Sequence, residues 1–178
     1  PEVWPNGLTK LSNCVHELGM EFGLWFEPEM VNLNSDLARQ HPDWVLGELG
    51  TLSWRHQFVL DLSRKEVSSY LEERICAIVE EYKVDYIKWD HNRDLFAAIS
   101  PSSGRVSVHQ QTNALYELLQ RLRSRFPALE IESCSSGGGR IDLGILRYAD
   151  RVWASDCIDP LERVRIHQST ELLVPPEF

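Results

Sequence analysis

Short apolar runs recur at residues 22–27, 57–61, 84–90, 129–134 and 151–156, each closing on a polar or acidic residue and leading into a helical pattern. They read as five strands. Between them, Leu8, Leu11, Val15 and Leu18 repeat at helical spacing ahead of Gly19, a good helix terminator. Ser63 and Glu66 have the spacing of a capping box before Val67, Leu71, Ile75 and Ile78. Leu115, Leu118, Leu119, Leu122 and Phe126 predict a third helix stopped by Pro127, and Asp159-Pro160 predicts the start of a fourth. Strand alternating with helix predicts an α/β fold built on parallel βαβ units. Successive strand ends at Glu27, Asp61, Asp90, Cys134 and Asp156 lie 34, 29, 44 and 22 residues apart. A (β/α)8 barrel of about 250 residues spends about 31 per unit. The expectation is a partial TIM barrel, about five of eight β/α units, with residues 1–178 forming the central to C-terminal part of a single catalytic domain. A doubly wound open sheet is the other architecture with this pattern, and it would put functional groups at the same strand ends.

Composition excludes several classes. A formal charge of -9 with no clustered Lys/Arg run argues against a nucleic-acid partner. No apolar stretch approaches the roughly 18 residues of a membrane span. Cys14, Cys76, Cys134 and Cys157 have no CxxC spacing, so reduced thiols in a cytoplasmic protein are expected, with export left open by a sequence that starts at Pro1. Six histidines (16, 41, 56, 91, 109 and 167) show no ligand grouping; neither a metal nor another cofactor is expected.

Barrel chemistry sits at the carboxyl ends of strands. In Tyr86-Ile87-Lys88-Trp89-Asp90, alternation sets Tyr86, Lys88 and Asp90 against Ile87 and Trp89. A lysine two residues from a carboxylate would keep it ionised, as a nucleophile requires; a purely structural ion pair fits the same residues. The run from Val152 to Asp156 aims a second carboxyl in the same way, and an apolar strand end near another carboxylate favours a general acid. Asp159, next to Pro160, reads first as a helix N-cap. Two strand-end carboxylates among tryptophans are the constellation that breaks glycosidic bonds, with Trp25 and Trp89 as sugar platforms or as core, and Trp4, Trp44 and Trp54 as structural residues. Gly137-Gly138-Gly139 lacks the G-x-G-x-x-G spacing, so a tight turn competes with a phosphate-binding one.

The segments GLWFEPEMVN (23–32), HPDWVL (41–46), QFVLDLSR (57–64), YIKWDHNRDL (86–95), EIESCSSGGGRIDLGIL (130–146) and RVWASDCIDPLERVRIHQST (151–170) together resemble bacterial α-galactosidases of glycoside hydrolase family 36, the melibiase-like enzymes. The resemblance implies a retaining hydrolase that releases terminal α-linked galactose from melibiose or raffinose-type oligosaccharides. It implies Asp90 as nucleophile and Asp156 as acid/base, with Trp25, Arg55, Lys88, Cys134 and Gly137 lining the galactose subsite. Arg55 also reads as a surface-loop arginine, and His91 receives no role. The family's Asp-Asp-Gly-Trp segment is not among these residues, and the chain is expected to begin after it. An α-N-acetylgalactosaminidase, a raffinose-synthase-type galactosyl transferase and a non-catalytic sugar-binding barrel are the alternatives on this scaffold. Self-association of the intact protein is a further expectation.

Overall fold

The computed structural model describes residues 3–47 and 52–178. In chain order its elements are α1 (Thr9–Glu17), β1 (Gly23–Phe26), β2 (Met30–Val31), α2 (Asp36–Gln40), β3 (Phe58–Val59), α3 (Lys65–Tyr82), β4 (Tyr86–Trp89), β5 (Ile99–Ser100), β6 (Arg105–Val106), α4 (Val108–Arg125), β7 (Glu130–Ser133), β8 (Arg151–Val152) and α5 (Pro160–Thr170). Among the described residues no helix is long and apolar enough to cross a membrane.

The centre is a four-stranded parallel sheet in the order β1-β4-β7-β8. Alternation along these strands divides its faces. Leu24, Ile87 and Ile131 are register partners on one face, next to the row Phe26, Trp89, Ser133 and Val152. Against that face pack α3, through Val67, Leu71, Ile75 and Val79, and α4, through Leu115, Leu118, Leu119 and Leu122, in one continuous core. Each such buried aliphatic side chain contributes about 1.5–3 kcal/mol of transfer free energy. The opposite face carries Trp25, Lys88, Glu132 and Arg151 in a single cross-strand row, flanked by Tyr86 and Glu130.

Four of the five expected strands join this sheet. The run 57–61 does not: Phe58–Val59 pairs antiparallel with Met30–Val31, and the Leu60 and Asp61 amides donate to Glu29 and Trp44 carbonyls. Its backbone is satisfied by the excursion that follows β1, which leaves β1 to pair directly with β4. The capping box is also absent. Ser63 turns its hydroxyl to Asp61, and Glu66 pairs with Arg64, which itself occupies the N-cap position of α3. The other three helix boundaries behave as expected, with α4 ending at Arg125 just ahead of Pro127. Gly19 closes α1 at φ +72°, and Asp159 caps α5 by accepting from the Leu161 and Glu162 amides.

Candidate active site

Asp90 follows β4 directly, and its amide is fixed by the Phe26 carbonyl at the end of β1. It is 6% exposed. Its Oδ2 accepts from the Trp25 indole N–H at 3.0 Å and from Asn92 Nδ2 at 2.8 Å; its Oδ1 accepts from the His91 amide at 2.8 Å. The Cys134 thiol, directly after β7, is a neighbour of the same carboxylate. Burial works to raise the Asp90 pKa, but the donors Asn92, Trp25, Cys134 and His91 outweigh it and hold it below the ordinary carboxylate value. Cys134 moves the opposite way. Burial, aided by the neighbouring Asp90, pushes its thiol up to about 11, so it stays a protonated donor at neutral pH.

Lys88 is not the group that keeps Asp90 ionised. Its Nζ lies 2.8 Å from Glu132 Oε1, the register partner on β7, and Tyr86 donates to the other Glu132 oxygen at 2.6 Å. The ammonium also sits 4.0 Å from the centroid of the Trp153 ring. That indole donates to Asp156 Oδ1 at 2.9 Å. The path Glu132–Lys88–Trp153–Asp156 thus joins β7, β4 and the segment after β8. Asp156 lies beyond the strand, since β8 ends at Val152, and it is exposed on a loop instead of standing on a strand face.

The two tryptophans proposed as sugar platforms separate. Trp25 is 52% exposed on the polar face, beside Asp90. Trp89 is 1% exposed on the helix side, where its N–H donates to Glu29 at 2.9 Å, so it belongs to the core. Trp44 is buried and stacked on His41, while Trp4 and Trp54 are exposed.

Arg55 occupies a tight turn at φ +52° followed by His56 at φ +60°, and its guanidinium reaches within 3.9 Å of Glu27 Oε1. Arg93 holds that turn by donating to the Gln57 and Leu52 carbonyls at 2.5 and 2.7 Å. Glu27, at the end of β1, accepts from Asn92 Nδ2 at 2.6 Å and from Gln57 at 2.7 Å, which links the Arg55 turn to the Asp90 loop.

Gly137 has φ +86°, and a Cβ there would lie 2.8 Å from Ser155 Cα and 3.2 Å from the Asp156 amide. Glycine is needed because the loop after β7 lies against the backbone that carries Asp156. This is a packing requirement, and the Gly137-Gly138-Gly139 cluster is a close-approach turn. Among the described residues no group of three or more His, Cys, Asp and Glu side chains is gathered as a metal site.

Trp25, Lys88, Cys134 and Gly137 are thus brought around Asp90 and Asp156, with Arg55 on an adjoining turn. Sequence reasoning overlooked Asn92, Glu132 and Trp153. Alternation along β7 exposes Glu132 as a polar-face residue, and Trp153 stands three positions before Asp156.

The whole of residues 1–178 matches the Melibiase family model. The chain belongs to the melibiase family. It is 48% identical to the α-galactosidase of Escherichia coli over 99% of its own length and 25% of that protein. Among solved structures it resembles the α-galactosidase from Lactobacillus brevis, with TM-score 0.91 and 42% identity over 97% of this chain and 24% of that one. A variant of the GH36 α-galactosidase AgaA from Geobacillus stearothermophilus, solved in complex with raffinose, superposes with TM-score 0.90 at 42% identity, covering 96% of this chain and 25% of that one. The chain spans about a quarter of the length of the curated relatives it matches.

Proposed function

We propose that this melibiase-family chain carries the catalytic centre of a retaining α-galactosidase, which releases terminal α-linked galactose from melibiose or raffinose-type oligosaccharides. The observation that carries the reading is Asp90, a buried carboxylate held ionised by three hydrogen-bond donors at the end of a parallel strand. Asp90 attacks the anomeric carbon and forms a glycosyl-enzyme ester while Asp156 gives its proton to the departing glycosidic oxygen. Asp156 then takes a proton from water, which attacks the same carbon and displaces Asp90, so two inversions leave net retention. Exposure leaves Asp156 within reach of the water that attacks in the second step.

Trp25, Arg55, Lys88, Cys134 and Gly137 form the galactose side of the site in this reading. Trp25 offers an exposed indole face, Lys88 and Arg55 offer donors to sugar hydroxyls, and Cys134 and Gly137 shape the wall between the two carboxylates. The raffinose complex of the Geobacillus relative supports the substrate class. The four parallel strands in sequential order, polar face opposite the helices, support assignment of residues 1–178 to one part of a single (β/α)8 barrel, with four units in place of the five expected.

The complete polypeptide that contains these residues should hydrolyse an aryl α-galactoside, and proton NMR should show the α anomer of galactose first. A β product, or turnover confined to the aryl α-N-acetylgalactosaminide, would overturn the proposal.

A further inference from the structure

Glu29 is a buried carboxylate to which the proposed chemistry gives no part. It is 2% exposed, in the excursion after β1, and it makes contacts to two other strand-end loops. Its Oε1 accepts from the Trp89 indole at 2.9 Å and from Arg140 Nη1 at 2.7 Å; its Oε2 lies 3.9 Å from His91 Nε2. Trp89 and His91 are the residues on either side of Asp90. Arg140 closes the Ser135–Gly139 turn that follows Cys134, and the Ser135 hydroxyl donates to the His91 carbonyl at 2.7 Å.

The contacts bear on the reacting carboxylate through the backbone. The His91 amide donates to Asp90 Oδ1, so the orientation of the 90–91 peptide sets where that oxygen points. With its side chain lying against Glu29 and its carbonyl held by Ser135, His91 has little freedom to turn that peptide. On the other side, Trp89 is anchored by its N–H as well as by packing. An apolar residue at position 29 would fill space but could accept from neither Trp89 nor Arg140. Burial raises the Glu29 pKa, and the Arg140 charge, His91 and the Trp89 hydrogen bond lower it further than burial raises it, so the group is an anion. A buried anion carries a desolvation cost that packing alone gives no reason to bear.

We propose that Glu29 is a positioning residue for Asp90, holding the residue before it through the Trp89 indole, bracing the residue after it at the His91 ring, and tying both to the Cys134 loop through Arg140. The inference rests on the α-galactosidase reading and deepens it. Glu29 touches no substrate; it acts by keeping the nucleophile at attack distance, where a misplacement near 1 Å costs about a hundredfold in rate.

The test is Glu29→Gln in the complete polypeptide, assayed on an aryl α-galactoside with kcat expressed per site titrated by an irreversible active-site label. The expected result is a kcat about tenfold to a hundredfold lower with KM within about twofold, because the galactose contacts are untouched while attack is impaired. Should that variant fail to fold, Trp89→Phe removes the N–H donor together with part of the ring volume, and is expected to lower kcat per titrated site about threefold to tenfold at unchanged KM, the loss of packing being read separately from the melting temperature. A merely structural role would lower the melting temperature and the titrated fraction and leave kcat per site at the wild-type value, which would overturn the inference. An inactive wild type would instead defeat the α-galactosidase reading itself, so the two failures are distinguishable.

Discussion

Trp25 pairs in register with Lys88 on the neighbouring parallel strand, yet its indole N–H passes that partner and reaches the Asp90 carboxylate at 3.0 Å. The diagonal reach combines two functions in one residue: a donor to the carboxylate, and an exposed aromatic face beside it. The ammonium that sequence spacing assigns to Asp90 is meanwhile engaged by Glu132.

From this arrangement follows a pH dependence. Asp90 must be ionised to attack, and its donors hold its folded-state pKa below the ordinary aspartate value, so activity through this group is present above that pKa and lost as pH falls through it. Trp25→Phe removes one donor and allows the pKa to rise. The acid limb of kcat/KM should therefore move to higher pH in the variant, as read from rate profiles on an aryl α-galactoside. A limb that stays in place or moves down would show that the indole does not hold the carboxylate.

The Glu132–Lys88 pair predicts a different signature. Glu132→Gln weakens the hold on Lys88, whose ammonium then loses its fixed place over Trp153, the indole that donates to Asp156. Because Lys88 remains about a quarter exposed, solvent screens the loss, and a destabilisation of only about 1 kcal/mol is expected. KM should rise about threefold to tenfold, as for a lost substrate contact. Initial-rate kinetics with thermal melts separate the two effects.

Gly137→Ala should act on the acid/base step. The added methyl meets the Ser155 backbone at 2.8 Å in a left-handed conformation, so the segment carrying Asp156 must shift. Proton donation matters most for poor leaving groups. The variant is expected to lose about tenfold or more in kcat/KM on melibiose and much less on an activated aryl galactoside, a contrast measured with paired substrates.

How much of this was legible in the sequence depends on the distance over which each feature is decided. The β4 alternation correctly placed Ile87 and Trp89 on the core side and Lys88 on the polar side, because a period of two residues is a local property. The caps at Gly19 and Asp159 were legible for the same reason. By contrast, Phe58–Val59 has the look of any buried strand, and its antiparallel partner Met30–Val31 lies in another loop. Lys88 likewise finds Glu132 only once the β4/β7 register is known. The Ser63–Glu66 spacing was overridden because Asp61, buried beside Ser100, takes the Ser63 hydroxyl. Trp89 illustrates the same limit: its alternation points to the core, and its near-complete burial, decided by packing from other elements, rules out a sugar platform.

The isolated 178 residues are expected to fold poorly. Within the described residues β1 and β8 each have a single neighbour in the sheet, and Trp25 on the polar face is half exposed. Unpaired strand edges invite association. Expressed alone, the chain should aggregate or melt without a cooperative transition and show no turnover, as followed by size-exclusion chromatography and calorimetry. A monomer that melts cooperatively and turns over like the complete polypeptide would contradict this.

The assignment of Asp90 as nucleophile is tested most directly by Asp90→Ala in the complete polypeptide, assayed on an activated aryl α-galactoside with and without sodium azide. The account predicts loss of turnover by about a thousandfold or more, with activity restored by azide and β-galactosyl azide as the product, because azide enters the vacated space and attacks from the face that Asp90 occupied. Unrescued turnover above about a hundredth of wild type would contradict it.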